Sequence, residues 1–129
     1  QAAKICNNMI LGISMIAVSE SFSMAEKLGL SAQNLFDITS SSSSQCWAMT
    51  SYLPVPGPVP ASPANNDYQP GFTGAMMAKD MKLARDAAIS SGQKTELADS
   101  ALQMYERFLA EGGSSKDFSA IYNMINNSS

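Results

Sequence analysis

The chain of 129 residues carries a formal net charge of −3, is 45% hydrophobic and 15% charged, and contains two cysteines and no histidine. That size and composition describe one domain with a real core rather than a disordered segment. The acidic balance, with no Lys/Arg cluster among aromatics, excludes a polyanion surface, so no nucleic-acid partner is expected; the missing histidine excludes Ser-His-Asp and Cys-His catalysis and leaves no zinc site, so no metal is expected.

Cys6 and Cys46 lack C-x-x-C spacing and stand in apolar company, which predicts free, buried thiols of a reducing compartment. The apolar run from Met9 to Val18 lies between Asn8 and Glu20. It is short of the about 20 residues that cross a bilayer, so a buried core helix and no membrane contact are expected. The chain opens on glutamine and shows no targeting segment, which suggests an excised piece of a longer protein.

In chain order, the first helix is predicted from about Ala3 to Leu28, apolar nearly all round and running through the centre of the domain, with Gly29 as its left-handed stop. Ser31 is the expected N-cap of a short helix carrying Leu35, Phe36 and Ile38, which runs into the serine tract Ser40 to Ser44. A third short helix is expected around Cys46, Trp47 and Met49. From Pro54 to Gly71 the segment "PVPGPVPASPANNDYQPG" holds every proline of the chain. It reads as a long loop, either a wall or lid of a site or a plain connector. Thr73 is predicted to cap a fourth helix with Met77, Met81, Ala84 and Ala88 inward, ended by Gly92. Thr95 is predicted to cap a fifth, with Leu97, Ala101, Met104, Tyr105 and Phe108 on one stripe and Gly112 and Gly113 closing it. Ser114 with Asp117 resembles a capping arrangement for a sixth, bearing Phe118, Ile121, Tyr122 and Ile125 inward. With no strand signal, the domain is expected to be all-α.

Lys4, Asn7 and Asn8 fall at i, i+3 and i+4, on one helical face. Two consecutive asparagines weaken a helix without helping a core. They either solvate the helix entrance or meet a small ligand. In the second case Lys4 suits general acid–base work on an alcohol, provided that desolvation or a second cation holds the amine uncharged, and Asn8 offers the ligand both a donor and an acceptor. Lys79 and Asp80 interrupt the methionine-rich fourth helix, as a surface pair or as part of a site. Phe72 and the single tryptophan, Trp47, read as core or as pocket walls.

The K-x-x-N-N pattern of Lys4, Asn7 and Asn8, the K-D-x-x-L-A element of Lys79, Asp80, Leu83 and Ala84, and the segments "CW", "PVPG" and "ANNDYQPGF" together resemble the β-hydroxyacid dehydrogenase family over essentially the whole chain, nearest its 3-hydroxyisobutyrate branch. The resemblance implies an all-helical C-terminal domain of the 6-phosphogluconate dehydrogenase-like type, covering residues 1–129 and serving catalysis and dimerisation. A Rossmann domain would precede it, with the active site in the cleft between them. It implies Lys4 as the catalytic residue, Asn8 with Asn7, Phe72 and Trp47 around the substrate, and Lys79 with Asp80 at the cofactor NAD, whose oxidised ring would be the second cation near Lys4.

The implied reaction oxidises 3-hydroxyisobutyrate to methylmalonate semialdehyde in valine breakdown. A homodimer or tetramer is implied, in the mitochondrial matrix of a eukaryote or otherwise in the cytoplasm. The glycine-rich phosphate loop of the family is missing from this chain, so the isolated chain is expected to be inactive. Competing readings are a sibling acting on tartronate, succinic or glyoxylic semialdehyde, and a non-catalytic oligomerisation module.

Overall fold

A computed structural model describes residues 1–128. Its α-helices are α1 (Ala2–Lys27), α2 (Ala32–Thr39), α3 (Trp47–Thr50), α4 (Gly74–Ser91), α5 (Glu96–Phe108) and α6 (Ile121–Asn126), with no strand among the described residues beyond an isolated bridge between Thr73 and Asp117. The all-α expectation holds, and the caps explain the boundaries. Ser31 Oγ accepts from Asn34 N at 3.1 Å, Thr73 Oγ1 accepts from Met76 N at 3.1 Å, and Gly92 ends α4 in the left-handed region at φ 76°. Thr95 precedes α5 without a side-chain cap bond.

α1 touches every other α-helix. Its inner side, with Met15, Ile16, Val18, Phe22 and Ala25, is buried, while Ile10, Met24 and Leu28 are exposed. The expectation of a helix buried all round is therefore corrected: this domain covers one side of α1 and leaves an apolar flank open. By length and composition α1 is also long and apolar enough to cross a membrane, contrary to the estimate from the Met9–Val18 run. α4 lies close against α1 because Gly12 presents no side chain. A Cβ there would stand 2.7 Å from Met81 Sδ and 3.1 Å from Met77 Sδ, and both methionines are fully buried.

α5 buries Ala98, Ala101, Leu102, Tyr105 and Phe108 but leaves Leu97 70% exposed, so the predicted stripe begins one residue later, at Ala98. Past α5 the chain widens into one π-helical turn at residues 109–113, where Gly112 takes φ 97°. The Phe108 ring fills the space over Gly113, where a Cβ would come within 2.4 Å of it.

Ser114 does not cap the sixth helix. Its carbonyl accepts from Ala75 N, and it is Asp117 that caps the 3-10 turn Phe118–Ala120 leading into α6, accepting from Ser119 N at 3.0 Å. The cysteines are free but not buried: Cys6 is exposed, and Cys46, half-buried, packs against the edge of the core.

The proline-rich segment is a fastened loop with one 3-10 turn, Pro63–Asn65. Asn65 Oδ1 accepts from Gly57 N at 2.8 Å, Asn65 Nδ2 donates to Val59 O at 2.7 Å, and Tyr68 OH donates to Pro54 O at 2.7 Å. Asp67 and Tyr68 hold left-handed backbone, φ 49° and 55°, a strained pair that these bonds keep in place. Pro54, Val55, Ser62 and Ala64 are buried. Through these residues the loop packs onto the domain, and it lines neither the cleft at Lys4 nor the one at Trp47.

All four tyrosines hold their protons more tightly than free phenol. Burial is the main cause in each; it pushes Tyr68 to about 12 with help from Tyr122, and the Asp117 hydrogen bond and charge add to it at Tyr52. Above pH 10 the unfolded chain releases phenolic protons that the folded chain retains, so the unfolded state binds fewer protons and stability falls as pH rises. Thermal melts are expected to show a flat midpoint up to about pH 9.5 and a steep fall from about pH 10 to 12, with tyrosinate absorbance rising together with unfolding rather than before it.

Candidate functional site

The helical spacing of Lys4 and Asn8 brings both to a cleft of about 290 Å³, which they line with Ile5 of α1 and with Asp80 and Leu83 of α4. Asp80 is four residues from the buried Ala84 and one from the buried Met81, so the packing that seats α4 on α1 also aims its carboxylate at α1. Asn8 Nδ2 donates to Asp80 Oδ2 at 2.8 Å across 72 residues, and Asn8 Oδ1 accepts from Asn7 Nδ2 at 3.1 Å. One N–H and one lone pair of the Asn8 amide remain for a ligand, and the amide plane is held by its two partners.

Lys4 is exposed and makes no ion pair or side-chain hydrogen bond among the described residues; the same holds for Lys79, the neighbour of Asp80. Lys79 and Asp80 thus do not form the ordinary surface pair, since Asp80 is taken by Asn8. Lys4 lines the cleft beside this fixed amide, whereas Lys79 is not among the residues that line it. A hydroxyl bound in this cleft could reach both the Asn8 amide and the Lys4 side chain.

Asn7 lines a second, larger cleft of about 450 Å³ with Ile10, Leu11 and Ser14 of α1 and with Cys46, Trp47 and Ala48. The Asn7–Asn8 hydrogen bond forms the ridge between the two clefts. Trp47 is 51% exposed and stacks on Tyr52, centroids 4.9 Å apart at 22°. Tyr52 leans on Phe118 at 5.5 Å, and Phe118 meets the edge of Phe72 at 5.5 Å and 87°. Phe72 is thereby joined to Trp47 through two further rings, but lines neither of these clefts.

Tyr52 and Asp117 tie this array together and were not singled out as site residues from sequence. Tyr52 OH donates to Asp117 Oδ1 at 2.7 Å. Nothing in a helical period pairs residues 65 apart. The one available signal is an acid, Asp117, followed directly by Phe118, which sends the acid inward with the aromatic.

Residues 1–125 match the family described as NAD-binding of NADP-dependent 3-hydroxyisobutyrate dehydrogenase. The chain is 50% identical over 125 residues to a protein of Mycobacterium tuberculosis strain H37Rv named probable 3-hydroxyisobutyrate dehydrogenase, covering 97% of this chain and 42% of that one. It is 44% identical over 125 residues to the human 3-hydroxyisobutyrate dehydrogenase, named mitochondrial, covering 97% of this chain and 37% of the relative. The chain thus spans about two-fifths of the length of the curated relatives it matches. Among solved structures, M. tuberculosis 3-hydroxyisobutyrate dehydrogenase with L-serine superposes with a TM-score of 0.93 at 50% identity, over 97% of this chain and 43% of that one. A Salmonella typhimurium structure at 21% identity and TM-score 0.81, over 95% of this chain and 41% of that one, shares the fold. With a family match over nearly its whole length, the chain belongs to the 3-hydroxyisobutyrate dehydrogenase NAD-binding family.

Proposed function

We propose that this chain is the helical part of an NAD-dependent 3-hydroxyisobutyrate dehydrogenase in which Lys4 takes the hydroxyl proton of the substrate and returns it in the reverse reaction. The observation that carries the reading is the Asn8 amide fixed by Asp80 beside the free amine of Lys4. Asn8 orients the alcohol or its carboxylate, Lys4 moves the proton, and Asn7 and Trp47 border the room for the rest of the substrate. L-serine, named with the mycobacterial relative, is itself a 3-hydroxy acid, which supports that substrate class.

The donor set suits one end of a nicotinamide nucleotide: Lys79 offers a free amine beside Asp80 to an amide carbonyl or a phosphate oxygen. When bound, the nucleotide accepts the hydride. A Rossmann domain would hold its other end and, closing over Lys4, would exclude water from the proton transfer.

The exposed apolar residues Ile10 and Met24 of α1, Leu28 just after it, Ile89 of α4 and Leu97 of α5 are surface that such a domain and a homo-oligomer would cover. The reaction would serve valine breakdown, in the mitochondrial matrix for a eukaryotic source and in the cytoplasm otherwise.

The test is turnover by the full-length protein, with NAD, of 3-hydroxyisobutyrate against L-serine and the hydroxy acids that are the reduced forms of the tartronate, succinic and glyoxylic semialdehydes. The highest kcat/KM is expected for 3-hydroxyisobutyrate, with about 10- to 200-fold preference over analogues differing by one methylene. A higher kcat/KM for another member reassigns the substrate, and no turnover of any member refutes the reading. The 129-residue chain alone is expected to be inactive.

A further inference from the structure

Asp117 is fully buried, and no cation pairs with it among the described residues. Its two oxygens have separate tasks. Oδ2 accepts from Ser119 N and Ser119 Oγ and so caps the turn that opens α6. Oδ1 is not needed for that cap, yet it accepts from Tyr52 OH at 2.7 Å, Gly71 N at 2.9 Å and Phe72 N at 3.1 Å. The Tyr52 ring stacks on Trp47, which borders the larger cleft with Asn7. Gly71 makes the reach possible, because a Cβ there would stand 2.7 Å from the Tyr52 hydroxyl oxygen.

We propose that Asp117 is a positioning residue for this cleft: by holding the Tyr52 hydroxyl it fixes the plane of Trp47, the aromatic wall facing Asn7. Asp117 itself touches no ligand and takes part in no chemistry. A half-exposed indole would otherwise rotate and carry the wall with it, whereas stacking on a ring tethered at its far end removes that freedom. The role in substrate binding rests on reading the cleft as part of the hydroxy-acid site. The positioning of Trp47 does not.

The experiment labels the full-length protein with 5-fluorotryptophan and assigns the Trp47 resonance by its loss in Trp47→Phe. Tyr52→Phe keeps the stacked ring and removes only the tether, while Gly71→Ala keeps every side chain and crowds the hydroxyl off Asp117. Both are expected to move or broaden the Trp47 resonance and to raise KM for 3-hydroxyisobutyrate about tenfold with kcat within about threefold. Asp117→Asn, whose carbonyl can still accept from the Tyr52 hydroxyl, is expected to keep the resonance near wild type and to lose stability instead where its amide meets the Ser119 N–H. Ser119→Ala, which relieves Oδ2 alone, is expected to keep the wild-type resonance and KM.

An unmoved Trp47 resonance in both Tyr52→Phe and Gly71→Ala overturns the proposal, even if Asp117→Asn fails to fold. A moved resonance with unchanged KM overturns the role in the site. A wild type that turns over no 3-hydroxy acid defeats the functional reading instead, and the resonance still decides whether Asp117 positions Trp47.

Discussion

Lys4→Met in the full-length protein is expected to lower kcat by about 10²- to 10⁴-fold, the usual contribution of a positioned acid–base group, with little change in KM. Folding should be untouched, because Lys4 is exposed and bonds to nothing among the described residues. The informative comparison is Lys4→Arg. Arginine keeps the positive charge and the reach but cannot give up its proton, so it replaces an electrostatic contact and cannot replace a proton carrier. Equal losses in the two variants are therefore expected. If Lys4→Arg retained kcat within about tenfold of wild type, the role of Lys4 would be to bind an anion and the proton would have to travel by another group.

The companion variants separate binding from chemistry. Asp80→Asn leaves an amide facing the Asn8 amide in place of a charged acceptor, so the orientation of Asn8 is no longer dictated. Asn8 would then contribute less to substrate orientation, a change that enters kcat/KM more than proton transfer itself.

Helix positions were legible because their signals are local. Ser31, Thr73 and Gly92 act within one turn of where they stand, and Met77, Met81, Ala84 and Ala88 repeat at the helical period. The same locality brings Lys4 and Asn8 to one cleft. What stayed hidden is whatever depends on a surface rather than a period. An apolar residue reads alike whether it faces its own core or a surface left for another chain, so the open flank of α1 and the exposed Leu97 gave no warning. The Asn8–Asp80 and Tyr52–Asp117 bonds join residues 72 and 65 apart, and only the packing of α1 on α4 and of the proline-rich loop on the 3-10 turn before α6 creates them. Asp117 was legible as one member of a capping arrangement with Ser114 but not as a hub, since one acid serving two oxygens to separate segments leaves no periodic pattern in the chain.

That hub carries the second large expectation. In Asp117→Ala the donors of Tyr52, Gly71, Phe72 and Ser119 lose their acceptor in a region where Asp117 itself has no exposure. Each buried donor left without a partner costs about 1 to 3 kcal/mol. Water admitted to the vacated space satisfies some of them, so a net loss of about 4 to 6 kcal/mol is expected, which approaches the whole stability of many domains. Asp117→Asn should cost less, because its carbonyl still serves the Oδ1 side while its amide meets only Ser119, whose hydroxyl can turn to accept, so that the Ser119 N–H alone loses its acceptor. Urea unfolding of the full-length variants, followed by tyrosine fluorescence and circular dichroism, checks the order. Were Asp117→Ala to lose less than about 1.5 kcal/mol, the buried carboxylate would be nearly offset by its own desolvation, and the loop and the turn before α6 would have to be held by apolar packing around Phe118 instead.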